Sequence, residues 1–333
     1  MRVVIALAFA ALALSASLSP AVSATRIDVG SLSSGEVTIS GGGAVLYELH
    51  TATWCESCAE FDDLIEPLRT EHDERMAFIA LHPDDDDDDK IGNSASQHRL
   101  NRLHAIEGRV TGTPTSFMDG VVAREGQVSG SQISLALFDA ESSQRSRTSL
   151  TLSTTSDDGG LIFELSATLS PSGSHSFNGT QLTIMIGDDD PEVGDSLLAE
   201  GAGPFHATLF ALFEVDINEN GSIGLIEEFP AGTWSMINSQ IVNERVIITV
   251  RAHSISQPLG DLSILATHEV NDNFLSTTTS PLTLGAVSFF QADEKEENIL
   301  SGYLIATGLI GIGVLIIAIP SERKNISSGK EEE

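Results

Sequence analysis

The chain has 333 residues, and its 48 acidic side chains against 17 lysines and arginines give a formal net charge of −31. Such a charge repels phosphate groups, so the composition argues against nucleic acid and anionic lipid surfaces as partners. Only two cysteines are present, Cys55 and Cys58, and within the chain they can bridge only each other.

Both ends of the chain carry apolar segments. Met1, Arg2 and the apolar run that follows them predict a secretory signal peptide over residues 1–24. A second run, from Ile299 to Ile319, contains no charged residue and is long enough to cross the hydrocarbon core of a bilayer.

The charges beside the second run predict its orientation. Acidic residues precede it in the stalk 291–298, and Arg323 and Lys324 follow it. The positive-inside rule then predicts a single-pass cell-membrane protein. Its N-terminal ectodomain lies outside, a transmembrane helix covers 299–319, and the tail 320–333 lies in the cytoplasm.

The two cysteines form a Cys-x-x-Cys motif that follows an apolar run, Ala44–His50, and precedes apolar residues at helical spacing. This predicts a strand-to-helix junction, where unpaired N–H groups and the helix dipole stabilise a thiolate. A bridge across so short a loop removes little chain entropy. A disulfide that only stabilises the fold is therefore a poor explanation for the cysteine pair, and the motif predicts a redox-active disulfide.

Residues 44–142 predict the element order β-α-β-α-β-β-α. Its later parts are a strand Met76–Leu81, a helix Ser94–Ile106, a strand entered through Gly112 to Met118, a turn at Asp119-Gly120, a return strand Val121–Ala123 and a helix Ser131–Ala140.

With Trp54-Cys55-Glu56-Ser57-Cys58 after a buried strand and Thr113-Pro114 entering a later one, this segment resembles the thioredoxin-like superfamily. The resemblance implies that Cys55 is the attacking thiolate and Cys58 the buried resolving thiol. It also implies that Pro114 is cis and that Trp54, Thr113 and Pro114 contact an extended substrate. No cofactor is required, and a separate redox partner recycles the dithiol.

Three features depart from the superfamily pattern. The Glu56 carboxylate opposes formation of a thiolate at Cys55. Leu49 stands where relatives keep a buried acid, and strand alternation turns Glu48 to the opposite face. The interval from Cys58 to Pro114 is long and contains the run Asp84–Asp89, which predicts a solvated loop. The alternatives are a loosely held cation, or a position near the redox face that disfavours acidic substrates.

From Arg147 onward, short alternating apolar runs are separated by Ser, Gly, Asp and Asn clusters. This pattern predicts an all-β sandwich of immunoglobulin-like or jelly-roll type. The predicted fold class is therefore an α/β thioredoxin-like domain (25–145) followed by a β-sandwich domain (146–290) and a single transmembrane helix.

The second half also contains a candidate calcium loop that matches the EF-hand template. Its ligands are Asp216, Asn218, Asn220, Ser222 and Glu227. With only two carboxylates, such a loop suits millimolar calcium. Asn220-Gly221 is equally a hairpin turn signal, so a plain hairpin is the alternative.

These features predict a membrane-anchored extracytoplasmic thiol–disulfide oxidoreductase that acts on secreted or surface proteins through Cys55 and Cys58. The alternative is a non-catalytic cell-surface binding module on a thioredoxin scaffold, stabilised by calcium, in which the disulfide is inert. Copper or zinc handling by the cysteines with His50 or His82 ranks third.

Overall fold

The computed structural model describes residues 25–28, 36–84, 88–107, 112–143, 148–169, 177–218, 222–253, 255, 257–271 and 282–291. The first half contains β1 (Thr25–Asp28), β2 (Glu36–Gly41), β3 (Val45–His50), α1 (Glu56–Glu71), β4 (Met76–Leu81), α2 (Ser94–Glu107), β5 (Thr115–Met118), β6 (Val121–Glu125) and α3 (Gly130–Ser143). The second half contains β7 (Thr148–Asp157), β8 (Gly160–Leu169), β9 (Thr180–Asp188), β10 (Thr208–Ile217), β11 (Ile223–Phe229), β12 (Trp234–Val242), β13 (Arg245–Ala252), a short 3-10 helix (Leu259–Asp261), β14 (Leu262–Val270) and β15 (Thr283–Phe289).

Six antiparallel strands form one sheet, in the order β1-β2-β7-β8-β13-β12. Along β7 and β13, buried residues alternate with more exposed ones, as expected for a sheet with one face against a core. Phe163 of β8 and Ile248 of β13 pack in this core with Ile184 of β9 and Phe213 of β10. This sheet therefore packs face to face on a second one.

The second sheet has nine strands, in the order β15-β14-β9-β10-β4-β3-β5-β6, with β11 paired to β10. All six residues of β4 are buried, so both of its faces are covered. Successive residues of β9 serve different cores: Ile184 faces the core between the sheets, and Met185 belongs to the core formed with Phe61 of α1 and Leu100 of α2. Because its side chains alternate between the two faces of the sheet, β9 packs against the helices on one face and against the six-stranded sheet on the other.

The predicted fold class is wrong. About half of the described residues, 49%, are strand and 21% are helix, and no α/β thioredoxin-like domain followed by a separate sandwich is seen. Ala80 of β4 pairs in parallel with Thr208 of β10, which makes one sheet from strands of both halves. The described residues between Thr25 and Gln291 form one compact unit. Periodicity revealed strands but not this long-range pairing, and the boundary at 145/146, between α3 and β7, stays a prediction.

The predicted single-pass membrane localisation is also corrected. In the part of the chain that the structure describes, no helix is long and apolar enough to cross a membrane. The predicted signal peptide (1–24), span (299–319) and tail (320–333) lie outside the described residues.

A buried ionic cluster anchors α2 to the nine-stranded sheet. The Arg99 guanidinium donates to Glu48 Oε1 at 2.9 Å and to both carboxylate oxygens of Glu269 at 3.0 and 3.1 Å, and it lies 3.4 Å from Glu214 Oε1. Burial alone would raise the pKa of Glu269, but Arg99 and Arg102 outweigh it and lower that pKa. The Glu48 carboxylate is thus paired with the Arg99 guanidinium.

A second buried arginine, Arg69, joins α1 to the second half of the chain. Arg69 donates to Asp189 Oδ1, just after β9, at 2.8 Å and to the Ser263 hydroxyl of β14 at 2.6 Å. Its guanidinium also lies 4.2 Å from the centre of the Phe290 ring, within reach of a cation–π interaction. The helix that begins at the cysteines is therefore fixed to strands of the second half.

Candidate redox site

The cysteines lie at the start of α1, as the sequence predicts. Cys55 has extended backbone angles and occupies the N-cap position, and its Sγ accepts the backbone N–H of Cys58 at 3.2 Å. Since the first N–H groups of a helix have no intrahelical partner, the sulfur takes the place of a capping oxygen. Negative charge on Cys55 Sγ would therefore be stabilised where the helix begins.

Cys55 and Cys58 form a disulfide, with their Cα atoms 5.2 Å apart. Cys58 is completely buried, Cys55 is 6% exposed, and Trp54 is 37% exposed. Of the two cysteines only Cys55 keeps any exposed surface, and the residue before it, Trp54, is a large exposed side chain. The asymmetry matches the attacking and resolving roles expected for the two thiols, which stay predictions.

The predicted substrate-contact residues Thr113 and Pro114 lie beside the disulfide. The Thr113–Pro114 peptide bond is cis. The Thr113 carbonyl oxygen is 3.6 Å from Cys55 Sγ and accepts the Ser57 hydroxyl at 3.3 Å. The structure thus brings together Trp54, Cys55, Cys58, Thr113 and Pro114, although they come from two separate segments.

A loop of the second half also reaches this site, and sequence reasoning missed it. We call residues 189–207, between β9 and β10, the β9–β10 loop. Its Ala199 N–H donates to the Thr53 carbonyl at 2.9 Å, and its Leu197 N–H donates to the Asp88 carbonyl at 2.9 Å. The only sequence signal was an irregular acidic stretch with Gly and Pro, which does not reveal where a loop docks.

Asp88 and Asp89, the last two residues of the acidic run, lie beside Thr53 at the redox site, and a position near the redox face was one of the alternatives considered from the sequence. Asp89 is buried; its Oδ2 accepts the Thr53 N–H at 2.9 Å and lies 2.8 Å from His82 Nδ1. Burial would raise the pKa of Asp89, but the bonds from His82 and the backbone lower it. Asp88 is exposed, and its carbonyl lies 3.4 Å from the Thr53 hydroxyl.

Asp62 is a buried carboxyl one helical turn after Cys58. It accepts the Gly203 N–H of the β9–β10 loop at 3.2 Å. Burial raises its pKa to about 6, because the apolar surroundings disfavour the charged form. It lines a small cavity with His82, Ile65 and Phe205. No local pattern in the sequence indicates a buried acid at this position, since only the fold buries it.

His50 does not reach the cysteines. Its ring lies 5.8 Å from the ring of His104 on α2, and burial followed by the neighbouring His104 lowers the pKa of His50 to about 4. The imidazole is therefore neutral near pH 7. Among the described residues there is no group of three or more His, Cys, Asp or Glu side chains arranged to hold a metal ion.

The candidate calcium loop lies in a β-hairpin. β10 and β11 pair antiparallel, with Asp216 opposite Gly224, and the Asn218 N–H donates to the Ser222 carbonyl at 2.9 Å. Glu227 is exposed on β11, opposite Glu214. Asn220 lies outside the described residues. The helical flanks of an EF-hand are replaced by strands, and calcium binding stays a prediction.

Comparison with known proteins gives a fold relationship. No family model matches the chain, and no curated protein matches it. Among solved structures, the chain is similar to HBP35 of Porphyromonas gingivalis, with a TM-score of 0.53 and 14% identity over 88% of this chain and 85% of that chain.

The assignment of the chain to the thioredoxin-like superfamily is corrected accordingly, because the described structure is dominated by β-sheet and no family match supports that assignment. At 14% identity, the likeness concerns the fold alone.

Proposed function

We propose that this protein is a thiol–disulfide oxidoreductase that works through reversible bonding of Cys55 and Cys58. The observation that carries the proposal is the placement of Cys55 Sγ at the N-terminus of α1, where it accepts the Cys58 N–H at 3.2 Å. A helix N-terminus stabilises a thiolate and makes it a usable nucleophile and leaving group near neutral pH.

In the reducing direction, the Cys55 thiolate attacks one sulfur of a client disulfide. A Cys55–client disulfide forms and the second client sulfur leaves as a thiolate, which takes up a proton. The Cys58 thiol then loses its proton and attacks Cys55 Sγ, which releases the first client sulfur and forms the Cys55–Cys58 bond. Two electrons pass to the client, and a separate dithiol must reduce the protein again.

The neighbouring backbone contacts both forms of Cys55. The Cys58 N–H stabilises the thiolate, and once the bond is open the Thr113 carbonyl, 3.6 Å from the sulfur, can accept the proton of the neutral thiol. Because Cys58 is buried beneath Cys55, a client can reach only Cys55, and Cys58 is kept for the second step.

The test is a thiol-exchange assay with the purified full-length protein. We expect the wild type to catalyse reduction of a model disulfide by dithiothreitol and the Cys55→Ser variant to lose this activity. If the two proteins give the same rate as buffer, the proposal is wrong.

A second function is favoured by one observation: Cys55 is only 6% exposed. In that case the disulfide is inert and the unit is a binding module. The reduction potential of Cys55–Cys58 separates the two. A bond that equilibrates with glutathione supports exchange, whereas a bond that stays oxidised below about −300 mV supports the binding module.

A further inference from the structure

The β9–β10 loop is attached to the redox site at several points. Besides the bonds from Leu197 to Asp88 and from Ala199 to Thr53, the Gly203 N–H is held by Asp62, and the Ser196 hydroxyl accepts the Lys90 N–H at 2.9 Å. A loop held by backbone bonds on both sides of Leu198 presents its side chains in fixed positions.

Two of these side chains are large, apolar and exposed. Leu197 is 58% exposed and Leu198 is 48% exposed. Single exposed leucines are common on protein surfaces. Both leucines lie next to Ala199 in the chain, and the Ala199 N–H is hydrogen-bonded to Thr53, the residue before Trp54. Trp54 is 37% exposed. We call Trp54, Leu197 and Leu198 the apolar rim of the redox site.

Exposed acidic residues flank the members of the apolar rim along the chain. Glu56, Asp88, Asp195 and Glu200 are all exposed, and each lies within three residues of a member of the rim or of its hydrogen-bond partner. Lys90 is the single cation of the segment 84–90. Such a field attracts positively charged groups and repels negative ones.

We propose that the apolar rim binds the polypeptide on either side of a client cysteine, and that it selects segments with apolar side chains close to lysine or arginine. This inference rests on the proposed function and specifies its substrate class. Trp54 and the two leucines bury the apolar side chains, while the surrounding carboxylates attract the cations. Segments with acidic side chains near the cysteine are poor clients.

The experiment compares three disulfides with the full-length protein. Two are peptide disulfides in which leucine flanks the cysteine, one with added lysines and one with added glutamates. The third is bis(2-hydroxyethyl) disulfide, which has no peptide to contact the rim. The variants are the double substitution Leu197→Ser with Leu198→Ser, the double substitution Asp195→Asn with Glu200→Gln, and Leu225→Ser as a control.

Leu225 is a matched control because it is 54% exposed but lies on β11, opposite Val215 and far along β10 from the loop. We expect the leucine double variant to lose about tenfold in kcat/KM for both peptides, the effect of removing two partly buried apolar contacts. Its rate with the small disulfide and its melting temperature should equal those of the wild type and of Leu225→Ser.

The charge variant should narrow the preference for the lysine peptide by about threefold at low salt, and high salt should narrow it further. Unchanged peptide rates in the leucine variant would overturn the inference, as would an equal loss with the small disulfide. So would a dimer of the wild type that this variant dissociates, since a second copy would then cover the rim. If the wild type is inactive even with the small disulfide, the proposed function itself fails.

Discussion

The backbone N–H of Ala199 donates a 2.9 Å hydrogen bond to the carbonyl oxygen of Thr53. Thr53 is two residues before the first cysteine, and Ala199 belongs to a loop in the other half of the chain. The surface around the disulfide is therefore built from both halves, and in the proposed reaction a client would meet residues that a local motif does not contain.

The burial difference between the cysteines predicts which variant traps a client. The Cys58→Ser variant should accumulate a Cys55–client disulfide, because no second thiol remains to resolve it. Mass spectrometry after incubation with a peptide disulfide measures the adduct. The Cys55→Ser variant is the control and should give none, since Cys58 is completely buried. Equal adducts in both variants would contradict the assigned order of attack.

The Glu56 carboxylate should slow the reactions of Cys55. We expect Glu56→Gln to raise the rate of Cys55 alkylation by iodoacetamide in the reduced protein about two- to threefold at pH 7, because a negative charge next to the sulfur is removed. Glu60→Gln, an exposed acid one turn further along α1, is the control and should leave the rate unchanged. A slower reaction of Glu56→Gln would show that the carboxylate assists the thiolate.

Removal of the Arg99 guanidinium should destabilise the protein severely. The Arg99→Met variant leaves Glu48, Glu214 and Glu269 buried without their main cation, which costs about 3–5 kcal/mol of unfolding free energy. Urea denaturation measures the loss. Arg251→Met, which breaks an exposed pair with Asp157, should leave the midpoint unchanged. A urea midpoint for Arg99→Met close to that of the wild type would show that the ionic cluster does not stabilise the protein in this way.

Asp62 should make stability fall with rising pH. Its pKa is about 6 in the folded state and near the ordinary value of 3.8 in the unfolded chain, so the folded state binds the proton more tightly. Stability is therefore highest below about pH 4 for this group, falls as the pH rises to about 6, and stays reduced above that.

The Asp62→Asn variant keeps an oxygen to accept the Gly203 N–H but has no charge to bury. At pH 7.5 it should be more stable than the wild type by about 1–3 kcal/mol, and at pH 4 the two should be alike. Chemical denaturation at both pH values measures this. Asp63→Asn, at the exposed neighbouring position, should reproduce the wild-type profile. A variant less stable than the wild type at pH 7.5 would contradict the burial cost.

Local elements and the core of the site could be predicted from the sequence because their signals lie within a few residues. The helix after the cysteines, the buried strand Met76–Leu81 and the Asp119-Gly120 turn, with φ of 52° and 81°, lie where spacing and turn chemistry predict them. Cys55 and Cys58 also lie together at the site. The position of Thr113 beside Cys55 was implied by the family resemblance and not by a local pattern.

The architecture could not be predicted because it depends on pairings between distant residues. Nothing in Glu48, Glu214 or Glu269 indicates that one arginine holds all three. Likewise, no local pattern shows that β2, before the redox segment, pairs with β7 after it. The predicted fold class was wrong for this reason: period-2 patterns identify strands but not their neighbours.

The parallel junction between β4 and β10 also restricts how such a chain can evolve. Ala80 N–H donates to the Ala207 carbonyl at 2.9 Å, just before Thr208 pairs with Ala80. A recombination event that moved only residues 25–145 into another gene would carry both cysteines but leave Arg69 and Arg99 without Asp189, Glu214 and Glu269. We therefore expect the two halves to be inherited, duplicated or lost together.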